Sequence, residues 1–109
     1  MSKQILVKTL ARKKETIRNL TEEIIKYIQV FDFKKTPLMI ANNQNSEYSS
    51  AIFTFEQETI LIEYIKKPNE EILRLCFSPL QNEMIHDLVM MKINQTARLQ
   101  QEDIFIHRL

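Results

Sequence analysis

The chain has 109 residues, a formal net charge of +1, 44% hydrophobic and 27% charged residues, a composition that supports one buried core and lies far from that of disordered chains. It contains no glycine, which excludes the phosphate-cradling loops of Walker and Rossmann sites and the nucleophile elbow, because each needs a residue without a side chain where backbone crowds a ligand. Its single cysteine, Cys76, has no partner for an internal bridge, its apolar runs are too short to span a bilayer, and "MSKQILVKTL" is too polar for a signal peptide, so a cytoplasmic protein without membrane contact is expected.

Residues 3–8, "KQILVK", alternate weakly and predict a short strand or an extended arm. From Thr9 the apolar spacing turns helical, with Leu10, Ile17, Leu20, Ile24, Tyr27, Ile28 and Phe31 on one stripe of a helix of about 20 residues,. Its first half has few anchors and is expected to project beyond the core. Pro37 forces extended geometry on Thr36 and ends that helix region. Strand-like segments follow: "PLMIA" (37–41), "YSSAIFTFE" (48–56), "TILIEYIK" (59–66) and "EILRLCF" (71–77). The last two are joined by "KPNE", which suits a type I turn and an antiparallel hairpin. With glycine absent, positive-φ turns are assigned to Asn or Asp, and "NNQNS" (42–46) and "PN" (68–69) are available for them,.

Alternation turns Phe53, Phe55, Ile60, Ile62, Tyr64, Leu73, Leu75 and Phe77 inward. The opposite face carries Ile52, Leu61, Ile65 and Cys76 among Thr54, Glu63 and Arg74, which is less polar than a fully solvated face. Ser78, Pro79 and Gln81 read as a capping box opening a second helix to about Gln101, with Leu80, Met84, Ile85, Leu88, Val89, Ile93 and Ala97 buried and Met90 and Met91 widening the stripe,. "DIFIHRL" alternates as a closing strand. The predicted fold is α+β, one domain over 1–109, with a mostly antiparallel three- to five-stranded sheet and two long amphipathic helices on one face, in the order (β)-α-β-β-β-β-α-β. It neighbours the ferredoxin-like order with an extra strand.

The stretch "LARKKETIRNL" (10–20) sets Arg12, Lys13, Lys14 and Arg18 against one acid, Glu15, where the long helix is expected to begin. Cations there cost about 0.3–1 kcal/mol each against the positive end of the helix dipole. Either the helix starts later, near Thr16, or something anionic meets it. Residues 1–35 hold nine basic and four acidic residues, leaving six and ten for the remainder, so the two parts carry +5 and −4. That asymmetry fits a solvated face, a basic end docking on the acidic body of a sister chain, or an arm reaching for nucleic acid. The residues available to an acidic partner or a phosphate backbone are Lys8, Arg12, Lys13, Lys14 and Arg18.

Catalytic constellations are weak. Glu83 and His86, with Asp87 beside them, have half the spacing of a di-iron bundle site, but the other half is missing,. Cys76 lies in mid-strand without a helix N-terminus to activate it. Glu56 with Glu58, and Glu70 with Glu71, sit at turns where acids are solvated. The sequons at Asn19 and Asn94 fall inside helices. Aromatics on the core face weaken an RNA-stacking sheet, and 10–20 is too poor in aliphatics for a ribbon-helix-helix. The expectation is a non-catalytic regulatory or inhibitor-type protein, cytoplasmic and homodimeric, without cofactor, metal or small-molecule substrate, that binds another macromolecule. The alternative is DNA binding through the basic first helix.

Overall fold

The hairpin of residues 58–77 anchors the architecture, because both its strands put large apolar residues at every second position on one face and Pro68–Asn69 turns the chain between them. The computed structural model describes residues 3–9, 16–78, 83–99 and 104–108. Its elements are β1 (Lys3–Thr9), α1 (Thr16–Val30), β2 (Lys34–Asn42), β3 (Glu47–Phe55), β4 (Glu58–Lys67), β5 (Glu70–Phe77), α2 (Met84–Leu99) and β6 (Ile104–Arg108). The strands form one antiparallel sheet in the order β2-β3-β4-β5-β1-β6. The expected element order holds, but the sheet has six strands rather than three to five, because both weakly alternating terminal segments pair, β6 on β1 and β1 on β5.

Register fixes the two faces. Ile5, Leu75, Ile62 and Ala51 lie in one row across β1, β5, β4 and β3, and Phe77, Ile60 and Phe53 in the next. These are buried with Ile17, Leu20, Ile24 and Ile28 of α1 and Ile85, Val89, Met90 and Ile93 of α2. Phe33 completes the core from the turn after α1. Several expected core members lie outside it. Phe55 reaches the sheet margin, tilts onto Phe33 and is over a third exposed, and Tyr27, Met84 and Met91 are exposed on their helices. Leu10 and Leu80 lie outside the described residues.

Two helix boundaries differ from expectation. Thr9 does not open α1; it is the buried last residue of β1, and the described helix begins at Thr16 with Ile17 fully buried rather than projecting. Among the described residues the Ser78 hydroxyl accepts the Thr59 N–H at 2.8 Å while its own N–H donates to the Thr59 carbonyl at 2.9 Å, closing the β4–β5 ladder; Pro79 and Gln81, the rest of the expected capping box, lie outside the described residues. The Asp87 N–H donates to Glu83, which precedes the first helical residue. The positive-φ positions among the described residues are an aspartate, as expected, and a glutamate, neither of them in "NNQNS" or "PN". Asp32, at φ 65°, ends α1, and Glu56, at φ 54°, turns the β3–β4 hairpin.

Removing β2 and β3 leaves β1-α1-β4-β5-α2-β6 with strand order β4-β5-β1-β6, the ferredoxin-like arrangement,. The β2–β3 hairpin widens that core by two strands. Six strands at spacings of about 4.8 Å outrun two helices packed about 10 Å apart. The overhang falls on β2, all nine residues of which are exposed.

Candidate functional site

Glu71, the second residue of β5, lies on the inner face opposite Thr9 of β1 and Lys66 of β4 and is fully buried. Its Oε2 accepts the Ile17 N–H at 2.8 Å and its Oε1 accepts the Tyr64 hydroxyl at 3.2 Å. α1 has no acid in its own first turn, so a carboxylate from the sheet meets the positive end of its dipole. The reading of Glu70 and Glu71 as solvated turn acids therefore fails for Glu71, because its register places it beneath the helix. Burial pushes the Tyr64 phenol up to about 12, with Arg18 pulling the other way. The Thr9 hydroxyl is buried beside this cluster without a hydrogen bond among the described residues.

The five expected contact cations do not form one described cluster. Arg12, Lys13 and Lys14 lie outside the described residues. Lys8 stands on the outer sheet face, 3.0 Å from Glu70, and this ion pair holds the Glu70 carboxyl below its ordinary range. Arg18 stacks 5.5 Å over the Tyr64 ring and pairs with Glu47 at the start of β3. With Lys3 on Glu83, three cations of the basic first third are matched to acids of the remainder within the same chain. Part of the charge asymmetry is thus answered internally.

The β2–β3 overhang departs from ordinary burial in the other direction. Leu38, Met39 and Ile40 are 53%, 56% and 73% exposed on a strand. β2 is an edge strand, which explains how Pro37 is accommodated, and its register on β3 shifts between Pro37 and Met39, leaving Leu38 as the extra residue,. Lysines, proline and a bulge are the devices that discourage strand-to-strand association at an edge. Between this hairpin and α1 runs a groove of about 100 Å³ lined by Thr21, Ile25, Pro37, Ile40, Ala51 and Tyr64, among others. A cavity of about 150 Å³ holds a benzene, so the groove suits one apolar side chain rather than a metabolite. The small residues Ser49 and Ala51 make this room.

Other titratable groups are engaged elsewhere. Glu83 faces Lys3, while His86 sets its ring edge-on to Phe77 with centroids 5.1 Å apart. Burial pushes the Cys76 thiol up, and Glu63 adds to this. The Asn42–Glu47 and Lys66–Pro68 segments border an open depression of about 430 Å³, where Asn43 Oδ1 accepts the N–H groups of Asn45 and Ser46. Its walls are two turns rather than a core. No described helix is long and apolar enough to cross a membrane.

Sequence reasoning missed Glu71 and the overhang. The signal for Glu71 was its even spacing from Leu73, Leu75 and Phe77; for β2 it was proline inside an apolar strand.

No family model matches the chain, and no curated protein matches its sequence. Solved structures do share the fold. The adenosylmethionine decarboxylase from Aquifex aeolicus VF5 superposes with a TM-score of 0.55 at 14% identity, over 98% of this chain and 88% of that one. The de novo designed proteins Ferredog-Diesel and Foldit4 give TM-scores of 0.48 and 0.43 at 8% and 9% identity, covering 98% and 100% of this chain and 84% and 97% of theirs. At 14% identity the likeness to the decarboxylase shows a shared α+β fold and carries no activity across.

Proposed function

We propose that this chain is a non-catalytic binding protein of the cytoplasm, working as a homodimer, that regulates another protein by presenting the β2–β3 overhang to it. The observation that carries this reading is the exposure of Leu38, Met39 and Ile40 on a strand beside an apolar groove. Register puts Ile40 with Ser49 and Tyr64 on the groove side and Met39 with Ser50 and Glu63 on the outer side, so a partner meets them by wrapping the edge,. Apolar side chains left in water at such an edge mark interaction sites in soluble proteins. The partner seats one apolar side chain in the groove and covers the three exposed ones. Nucleic-acid binding is less favoured, because Lys8 and Arg18 already serve Glu70 and Glu47.

The test compares capture of proteins from cell extract by wild type, by Leu38→Lys/Ile40→Lys and by Lys13→Glu/Lys14→Glu, alongside mobility shift of a labelled duplex across a salt series. The expected result is capture lost only in the first variant, with no duplex shift at low salt. A steeply salt-dependent shift abolished by the second variant would replace this reading with DNA binding.

A further inference from the structure

The outer sheet face, opposite both helices, carries Leu6 on β1, Ile52 on β3, Leu61 and Ile65 on β4, and Ile72 and Cys76 on β5. All six are half-buried. Both helices lie on the other side, where Glu71 meets α1 and Phe77 meets α2. An antiparallel sheet that leaves one face in water places polar residues there, yet here Leu61 pairs with Cys76, Ile65 with Ile72 and Ile52 with Leu61. Between these apolar rows Glu63 accepts the Tyr48 hydroxyl at 2.6 Å and stands 3.5 Å from Arg74.

We propose that this face is the seat of the homodimer, two copies packing sheet on sheet with their helices outward, so that the assembly has four layers. The inference rests on the homodimeric part of the reading above and uses the outer side of the sheet, whereas that reading uses the edge strand β2 and the groove on its α1 side. Area and charge identify the occupant as a second copy. The five strands other than β2, at about 4.8 Å spacing and with about eight residues of 3.3 Å rise, give roughly 500 Å² of face per copy. Two such faces cover about 1,000 Å², the threshold of a biological interface. The charges amid the apolar rows are matched within the chain, Glu63 with Arg74 and Lys8 with Glu70. A strongly charged partner meets no complementary field, whereas a copy buries paired charges against paired charges. A copy also has the same twist, the condition for aligned packing of two sheets. Arg74 is half exposed and loosely held at 3.5 Å, and in a two-fold assembly it reaches the Glu63 carboxylate of the facing chain.

Sedimentation over a dilution series, paired with the rate of Cys76 alkylation by a small maleimide, tests the proposal without any substitution. A dimer is expected whose Cys76 reacts more slowly as protein concentration rises. Leu61→Lys/Ile72→Lys, checked for native far-UV circular dichroism, is expected to weaken the dimer about thirtyfold or more, as loss of an interface hot spot does, while leaving capture through β2 intact. If that pair fails to fold, Arg74→Glu is the second variant, expected to weaken the dimer by like charge against Glu63. A monomer at every concentration, a Cys76 rate independent of concentration, or a dimer dissolved by Ile40→Lys but not by the folded outer-face variants would overturn it. A wild-type dimer that captures nothing through β2 would instead remove the binding reading and leave this one standing.

Discussion

The base of α1 and the β2–β3 overhang break the ordinary rule of burial in opposite senses. At the first, a carboxylate is fully buried; at the second, Leu38, Met39 and Ile40 stand in water. Both are informative departures, but only one is explained inside the chain. Glu71 receives a helix N–H and a phenol hydroxyl, so its burial answers a need created by α1. The three exposed side chains of β2 meet no comparable need. The difference separates a departure that serves the fold from one that, in the binding reading proposed above, serves a partner.

The largest expected effect falls on Glu71. Glu71→Ala leaves the Ile17 N–H and the Tyr64 hydroxyl without a buried acceptor and is expected to lower stability by about 3 kcal/mol in urea denaturation. A loss below about 0.5 kcal/mol would remove the structural role assigned to it. Next comes the alkaline limb. The folded Tyr64 phenol titrates at about 12, above its ordinary value of 10.0, so the neutral form is favoured by folding. Its contribution is complete below pH 10 and falls as pH rises toward 12, by about 2 kcal/mol in all. Tyr64→Phe removes that pH-dependent part, which alkaline denaturation midpoints check.

A smaller gain is expected at Glu56, whose φ of 54° places a side chain in the left-handed region. Glu56→Gly relieves that strain and is expected to stabilise by about 1 kcal/mol, net of the extra freedom glycine brings to the unfolded chain. Smallest of all, Ile40→Thr on exposed β2 is expected to change stability by less than about 0.5 kcal/mol. A larger loss there would mean that the overhang supports the fold after all, and the contrast between the two regions would collapse.

The sequence is most legible where alternation and turn chemistry agree. β4 and β5 follow from period-two spacing and the Pro68–Asn69 turn, and the inward set from Ile60 to Phe77 is buried as alternation requires. Strand order was only partly legible: Pro37 marks "PLMIA" as an edge strand, but nothing local says that it pairs with β3 at the far end of a six-stranded sheet with all nine residues exposed. Glu71 was misread for the same reason: its burial depends on β1 pairing with β5 and on α1 crossing above, contacts made by residues more than 50 positions away. The cation question of residues 10–20 was legible as a question. For Arg18 its answer is Glu47 and the face of Tyr64, while Arg12, Lys13 and Lys14 lie outside the described residues.

The most direct test is capture from extract by wild type and by Leu38→Ser/Met39→Thr/Ile40→Thr, scored only after both have given urea denaturation curves. The account predicts superimposable curves and loss of the bound protein in the triple variant. Undiminished capture, or a variant that unfolds well before wild type, would contradict it.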